Sequence, residues 1–272
     1  MTRLGRLVLR TVRPPGDRRG DERGRCAVCG AETRFALNSW VLPADMAAEL
    51  GPLADAFRRR ETLWCGACGS SLRVRRMADV LLEHYAERAA SLAELVAEPG
   101  FRELDVAEVN AVGAAHDVLA RHPRLRYSEY PEEDLQALSY PDASLDLVLT
   151  ADTLEHVPDP WRALAEVRRV LRRGGRHVFT VPAAPTRAET SARAGLGASG
   201  EIVHHAPAQY HGRAAGPLRL LAGRRADMLA FTDFGLDLAE RLGPLGFETE
   251  VHFLRGEDPA ADAAIVFCAR AV

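Results

Sequence analysis

The chain reads as an α/β protein, a mainly parallel sheet covered by helices, with a small cysteine-bearing segment in front of it. Three observations predict this. Residues 145–150 (LDLVLT) and 178–181 (VFTV) are apolar runs of strand length, the first behind a Pro-Asp turn and the second behind Gly174-Gly175. Between them Trp161, Leu164, Val167, Val170 and Leu171 recur at the spacing of one helix face. Two CxxCG motifs, CAVCG at 26–30 and CGACG at 65–69, stand apart from that pattern.

The helix between the two runs carries its own punctuation. Pro160 suits a first turn, Arg168, Arg169, Arg172 and Arg173 fall on the polar side and in the last turn, and Gly174 is placed as a C-cap. Strand, crossover helix and strand make a right-handed unit of a parallel sheet. Ligands of such sheets bind beyond the carboxyl ends of the strands, which here means Thr150, Ala151 and Asp152.

Composition narrows the classes. With 272 residues, 47% of them hydrophobic, the chain can bury a full domain core and still hold an appendage. A formal charge of −3 gives no global case for nucleic acid, and the basic stretches 6–25 and 58–60 read as a solvated face or mobile arm. No apolar run reaches bilayer length and residues 1–10 lack a signal-peptide core, so a soluble, cytoplasmic protein is expected. All 35 basic residues are arginine, which excludes lysine chemistry such as a Schiff base.

Residues 1–25, rich in Arg, Gly, Pro and Asp with an apolar patch at 7–9, read as a flexible arm or as a strand that docks on the domain. Residues 26–76 form the metal segment. Cys26, Cys29, Cys65 and Cys68 have the spacing of four thiolates around one tetrahedral zinc ion, with the glycines letting backbone N–H groups turn toward sulfur. A disulfide pair competes with zinc, and a redox pair is the third reading, although neither motif sits on the strand–helix junction that redox CxxC pairs occupy. Four cysteines leave no coordination position open, so the zinc is expected to be structural.

Cys268, in AAIVFCARAV, reads as core. Between the motifs, Met46, Leu50, Leu53 and Phe57 follow a helical pattern interrupted at Gly51-Pro52, and RFALNSW at 34–40 with Trp64 supplies a small core. Residues 77–97 predict one long helix with Val80, Leu81, Tyr85, Leu92 and Leu95 inward. Val118, Leu119 and Leu125 continue a helix into the strand RLRYSEY. In the tail, FTDFG at 231–235 caps a helix, and the strands ETEVHF and AAIVFCA follow.

The string LSYPDASLDLVLTADTLEHV at 138–157, followed by RRVLRRGGRHVFTVP at 168–182, resembles the class I S-adenosylmethionine-dependent methyltransferases. CGSSLRVRRMADVLLEHYAERA at 68–89 is similar to a subgroup whose paired CxxCG motifs precede the catalytic domain, the second followed by serine and an R-x-R helix start. The resemblance implies a Rossmann-like seven-stranded methyltransferase sheet over 77–272, a substrate-cap insertion at about 183–232, and S-adenosyl-L-methionine as cofactor beside the structural Zn2+.

It also implies site residues. Glu108 fills the acidic place near the end of the first strand, and Asn110 and Gly113 belong to the glycine turn, where Asn tolerates a left-handed backbone and Val112 requires the loop to take another path. Glu129 would accept the ribose hydroxyls, unless it is an exposed loop residue; Asp134 and Leu135 would meet the adenine, and Thr150 and Ala151 close the strand beside it. His204, His205, Tyr210 and His211 cluster in the cap. They are donors and bases of an acceptor pocket, metal ligands that lack a carboxylate at helical spacing, or surface histidines. His156, His205 and His211 are the candidate bases, with Tyr210 beside them, and His156 serves alternatively to hold its loop.

The function expected is methyl transfer to a small molecule, possibly a biosynthetic intermediate, without a membrane partner. One alternative is an enzyme of the same fold that performs another displacement, cyclisation or hydrolysis. Another is a zinc-containing module that only binds protein or nucleic acid.

Overall fold

The structure, a computed structural model, describes residues 8–12, 21–38, 47–48, 50–183, 186–211, 228–254 and 263–272. Leu7, Ser39, Trp40, Met46, Gly212 and residues 256–261, which the sequence reading uses, lie outside the described residues. Strand β1 (Val8–Val12) comes first. Strands β2 (Asp21–Arg25), β3 (Glu32–Leu37) and β4 (Leu63–Cys65) form an antiparallel sheet that carries both CxxCG turns, with α1 (Ala54–Thr62) leading into β4. Helix α2 (Leu72–Tyr85) starts directly after the second motif, capped by the Ser71 hydroxyl, which accepts from Val74 N.

The main sheet adds β5 (Val106–Val109), β6 (Leu125–Ser128), β7 (Leu145–Ala151), β8 (Leu171–Thr180), β9 (Phe247–Leu254) and β10 (Val266–Ala271). Its order is β1-β9-β10-β8-β7-β5-β6. Every neighbouring pair is parallel except those of β10, which runs antiparallel to both β8 and β9. The sequence expects six of these strands; the seventh is β1, so over residues 8–12 the docked strand replaces the free arm. The first strand of the parallel set, β5, has β6 on one side and β7 on the other, so the chain reverses its winding between β5 and β7. Such a switch point opens a crevice at the carboxyl ends of the strands.

Alternation along the strands sends side chains to two cores. Val106, Leu147, Leu149 and Val178 pack with Val74, Met77 and Leu81 of α2. Ala107, Val109, Val148 and Phe179 pack with Leu164, Val167 and Val170 of α3 (Pro160–Val170) on the other face. Asp159 caps α3, its carboxylate accepting from Trp161 N and Arg162 N at 3.1 Å each. Among the described residues no helix is long and apolar enough to cross a membrane.

Two elements end earlier than their periodicity suggests. The predicted 77–97 helix stops at Tyr85 because the Glu98 carboxylate accepts from Glu87 N, Arg88 N and Ala89 N at 2.6–2.9 Å, taking the amides that would continue it. Ser91 then caps a separate short helix, Leu92–Leu95. Likewise α3 ends at Val170, and Arg172, Arg173 and Gly174 lie in β8 instead of a helical last turn. Arg172 reaches Asp146 at 2.7 Å and Asp105 at 2.9 Å, and the sheet register shifts between Leu145 and Leu147. Gly174, at φ +86°, sits in that irregular stretch, and a Cβ on Gly175 would come within 3.0–3.2 Å of three backbone carbonyls.

Within β7 and β8, Thr150 and His177 are fully buried and joined at 2.9 Å, and the His177 ring stacks on Phe179 at 4.3 Å. Burial pushes the His177 pKa down to about 3. Between that value and the ordinary 6.5 the unfolded chain holds a proton that the folded chain refuses, so the contribution of this group is complete above about 6.5 and lost as pH falls. His177→Leu should therefore flatten the acid limb of stability measured by urea melts at stepped pH. The expected change is a slope lower by up to about 1.4 kcal/mol per pH unit, and an unchanged slope counts against a buried neutral imidazole.

Candidate functional site

The cysteine segment is built as two copies of one turn. Gly30 N donates to Cys26 O and Gly69 N to Cys65 O, each at 2.8 Å. Cys26 N donates to Ala31 O and Cys65 N to Ser70 O, at 3.0 and 2.9 Å. Gly30 and Gly69 occupy the left-handed region at φ +76° and +72°, which the turn requires. The turns bring all four sulfurs within 4.8 Å of one another, with Cys26–Cys68 and Cys29–Cys65 at 3.9 Å. Sulfurs bound tetrahedrally at about 2.3 Å are about 3.8 Å apart, so the four positions fit one tetrahedral ion. They are too far apart for disulfides, and all are free thiols. Burial pushes the Cys29 thiol up to about 12, so a bound cation would supply the charge its thiolate needs.

From this segment two arginines reach the end of β7. Arg60, on α1, donates to both carboxylate oxygens of Asp152, at 2.5 and 2.7 Å, and to Val181 O at 3.3 Å; Glu61 also pairs with it. Arg73, the first arginine of the R-x-R start, lies 3.2 Å from Glu61 and 3.3 Å from Asp152. Asp152 has left-handed φ +47°, and its carboxylate also accepts from the Thr180 hydroxyl at 2.8 Å. Burial alone would raise its pKa, but the guanidiniums of Arg60 and Arg73 hold it well below the usual carboxylate range. Arg60 is fully buried, which corrects the reading of 58–60 as a solvated basic face.

The β5 turn is closed by side chains. Glu108 is fully buried and accepts from Val112 N at 2.7 Å while its other oxygen meets His116 Nδ1 at 2.8 Å, so it shapes the turn from within. Asn110 takes φ +60° and Gly113 +49°, whereas Val112 keeps a negative φ and points into the core. Asn110 N donates to Ser128 O at 2.9 Å and Asn110 Oδ1 accepts from Tyr130 N at 3.1 Å, which ties the ends of β5 and β6 together. Glu129 lies just past β6 and accepts from the Tyr127 hydroxyl. Asp134 is half-buried and accepts from Gln136 N at 2.8 Å; Leu135 is buried in the α3 core. Thr150 spends its hydroxyl on His177, and Ala151 packs partly against the α2 core.

The cap supplies short antiparallel pairs: Ala194–Leu196 with Ile202–His204, Tyr210–His211 with Met228–Leu229, and Ser191–Ala192 with Thr232–Asp233. It is stitched to the end of β7, since Phe231 N donates to Glu155 O at 2.6 Å and His156 Nδ1 meets Leu229 O at 2.9 Å. His156 and His211 come together with rings 4.9 Å apart and edge-on. Their partner is Glu155, 1% exposed, with its Oε1 3.6 Å from His156 Nε2 and 3.7 Å from His211 Nδ1. Burial lowers the His211 pKa, but the Glu155 carboxylate outweighs it and holds the imidazole above its ordinary value. Tyr210 packs instead against Ala194, Leu229 and Phe231, and His204 and His205 are exposed, so neither joins this cluster.

Arg60, Arg73, Asp152 and Glu155 are the residues that the sequence reading leaves without a role at the site. Asp152 and Glu155 had a signal in their place at the end of a parallel strand. The arginines had none, because their shared partner, Asp152, is far away in the chain, 92 residues from Arg60.

Residues 90–179 match the family described as "Methyltransferase domain". An uncharacterized methyltransferase of Mycobacterium marinum is 33% identical over 133 residues, 47% of this chain and 47% of its own length. The 27-O-demethylrifamycin SV methyltransferase of Amycolatopsis mediterranei is 49% identical over 43 residues, 16% of either chain. The chain spans less than half the length of these relatives. A 1,6-didemethyltoxoflavin-N1-methyltransferase structure from Burkholderia thailandensis is 16% identical, covering 93% of this chain and 99% of its own at TM-score 0.41, a likeness that carries no argument. The family match covers residues 90–179, and these curated relatives are methyltransferases that align over less than half of the chain.

Removing one partner of a buried, hydrogen-bonded ion pair strands the other charge. Arg60→Met should cost about 3–5 kcal/mol in denaturant unfolding, and less in an Asp152→Asn background, where Glu61 and Arg73 remain to balance each other. Equal losses in both backgrounds would show that the pair does not hold the segment.

Proposed function

We propose that the chain is an S-adenosylmethionine-dependent methyltransferase acting on a small molecule, with a structural zinc ion held by Cys26, Cys29, Cys65 and Cys68. One observation carries the reading. The segment that matches the methyltransferase domain, 90–179, supplies the carboxyl ends of β5, β6 and β7, which surround the switch point of the sheet.

On this reading the cofactor lies across the ends of β5 and β6. The left-handed Asn110 and Gly113 let the backbone approach its methionine part. Glu129 presents a carboxylate to two neighbouring ribose hydroxyls, and Asp134 lies toward the adenine, while Leu135 is spent in the α3 core. The acceptor enters from the cap side, past Asp152 and the cluster of Glu155, His156 and His211. Methyl transfer is an in-line displacement at the sulfonium carbon, so the residues chiefly align the acceptor and exclude water. An acceptor O–H or N–H also needs its proton removed, and His156 and His211 are the basic groups at that end.

Titration calorimetry with S-adenosylmethionine tests the cofactor site. Glu129→Ala and Asp134→Ala should each weaken binding about tenfold or more, the effect of a lost hydrogen bond to a charged group. Wild-type protein that binds no cofactor, or two variants of unchanged affinity, would place the nucleotide elsewhere. Metal analysis tests the cysteine site: Cys65→Ser should lose one zinc equivalent per chain and melt at lower temperature, because metal affinity at such a site is folding free energy. Unaltered zinc content would exclude the four cysteines as its ligands.

A further inference from the structure

The cap histidines and the carboxylate beneath them have the arrangement of a second metal site. Glu155 is 1% exposed, and among the described residues no donor lies within hydrogen-bond reach of either carboxylate oxygen. A buried carboxylate in that state is strongly unfavourable unless something cationic meets it. Among the described residues, Arg60 and Arg73 are committed to Asp152 and Glu61. That leaves His156 and His211, among the described residues, as the groups facing Glu155.

The donor geometry narrows what meets it. Glu155 Oε1 is 3.6 Å from His156 Nε2 and 3.7 Å from His211 Nδ1, too long for a direct hydrogen bond. Nitrogen and oxygen ligands bound tetrahedrally at about 2.1 Å are about 3.4 Å apart, so these spacings are within a few tenths of a coordination shell. The three ligand atoms lie within 4.8 Å of one another. His156 is also oriented for ligation: Nδ1 meets Leu229 O at 2.9 Å, so Nδ1 carries the proton and Nε2 presents its lone pair to the cluster. That carbonyl belongs to the strand paired with Tyr210–His211, in the register Tyr210 opposite Leu229, so one ribbon supplies a ligand and orients another.

We propose that Glu155, His156 and His211 bind a divalent transition-metal ion, zinc or a close equivalent, distinct from the ion of the cysteine site. Two imidazoles and one carboxylate leave a tetrahedral ion one open position, the mark of a catalytic centre. Resting on the methyltransferase reading, this assigns the acceptor class as a hydroxyl compound whose oxygen takes that position. The bound hydroxyl gives its proton to solvent, its oxygen forms the bond to the methyl carbon, and the carbon–sulfur bond breaks with the electron pair left on sulfur. The ion then does what the histidines alone would do as bases, and it also fastens the cap to the end of β7.

The test is equilibrium dialysis of the full-length protein against cobalt(II), read by metal content and optical spectrum, with cofactor binding measured by calorimetry on the same samples. Wild-type protein should bind two equivalents, one with sulfur-to-cobalt charge-transfer bands and one without. Glu155→Gln and His211→Ala should each bind one equivalent and keep the charge-transfer bands, which also shows that the cysteine segment remains folded; His156→Ala serves if either variant fails to fold. A single wild-type equivalent, or a second one that survives all three substitutions, overturns the site. Protein that binds two ions but no S-adenosylmethionine overturns the methyltransferase reading and leaves the metal site standing; protein that binds the cofactor and one ion does the reverse.

Discussion

The pairing of Arg60 with Asp152 is the constraint on which the rest of the site depends. It brings a helix of the cysteine segment onto the end of β7, where the chain leaves the sheet and turns toward Glu155 and His156. Asp152 adopts a left-handed backbone that a non-glycine residue takes at some cost. Two guanidinium bonds and the Thr180 hydroxyl on the same carboxylate hold it there. Only arginine does this well, because its planar fork matches both oxygens at once while an ammonium offers a point charge.

The same contact joins the two units into one device. The cysteine turns hold β2, β3 and β4, α1 and α2 extend from that sheet, and Arg60 and Arg73 extend from those helices to one carboxylate. The cysteine segment is therefore a brace for the end of β7. Carboxylates follow two of the strands: Glu129 past β6, then Asp152 and Glu155 past β7. Asp152 is neutralised from behind by the brace. Glu155 faces the two cap histidines instead, and on the proposed reading this end meets two cations, the sulfonium centre and a metal ion.

Local chemistry made much of this legible in the sequence. The strands at 145–150 and 178–181, the helix behind Pro160 and the two cysteine turns are where periodicity and punctuation predict them, since each is determined by residues within a few positions. The left-handed Asn110 follows from side-chain chemistry in the same way. Elements set by distant partners were not legible. Glu98 ends the helix that periodicity would extend to 97, and Arg172 draws its stretch into the sheet through Asp105 and Asp146. The site was half legible for the same reason. His156 and His211 stood out as residue types, but the carboxylate that unites them comes from the end of β7, across the whole cap. His205 stood out equally and lies exposed, just past the strand Ile202–His204, which is exposed along its whole length.

The place of β10 has a consequence for the order in which the molecule assembles. It is the last strand in the chain, yet it lies inside the sheet, with β8 on one side and β9 on the other. Its pairing of Phe267 with Phe179 joins positions far apart in the chain, and until it forms, β9 and the β1 strand beside it have no link to the rest of the sheet. Completion of the sheet must wait for that non-local closure, which is slow because its loop entropy is lost before any contact repays it. During synthesis the edge of β8 stays open until β10 emerges, so the half of the domain carrying the crevice exists before the half that closes it.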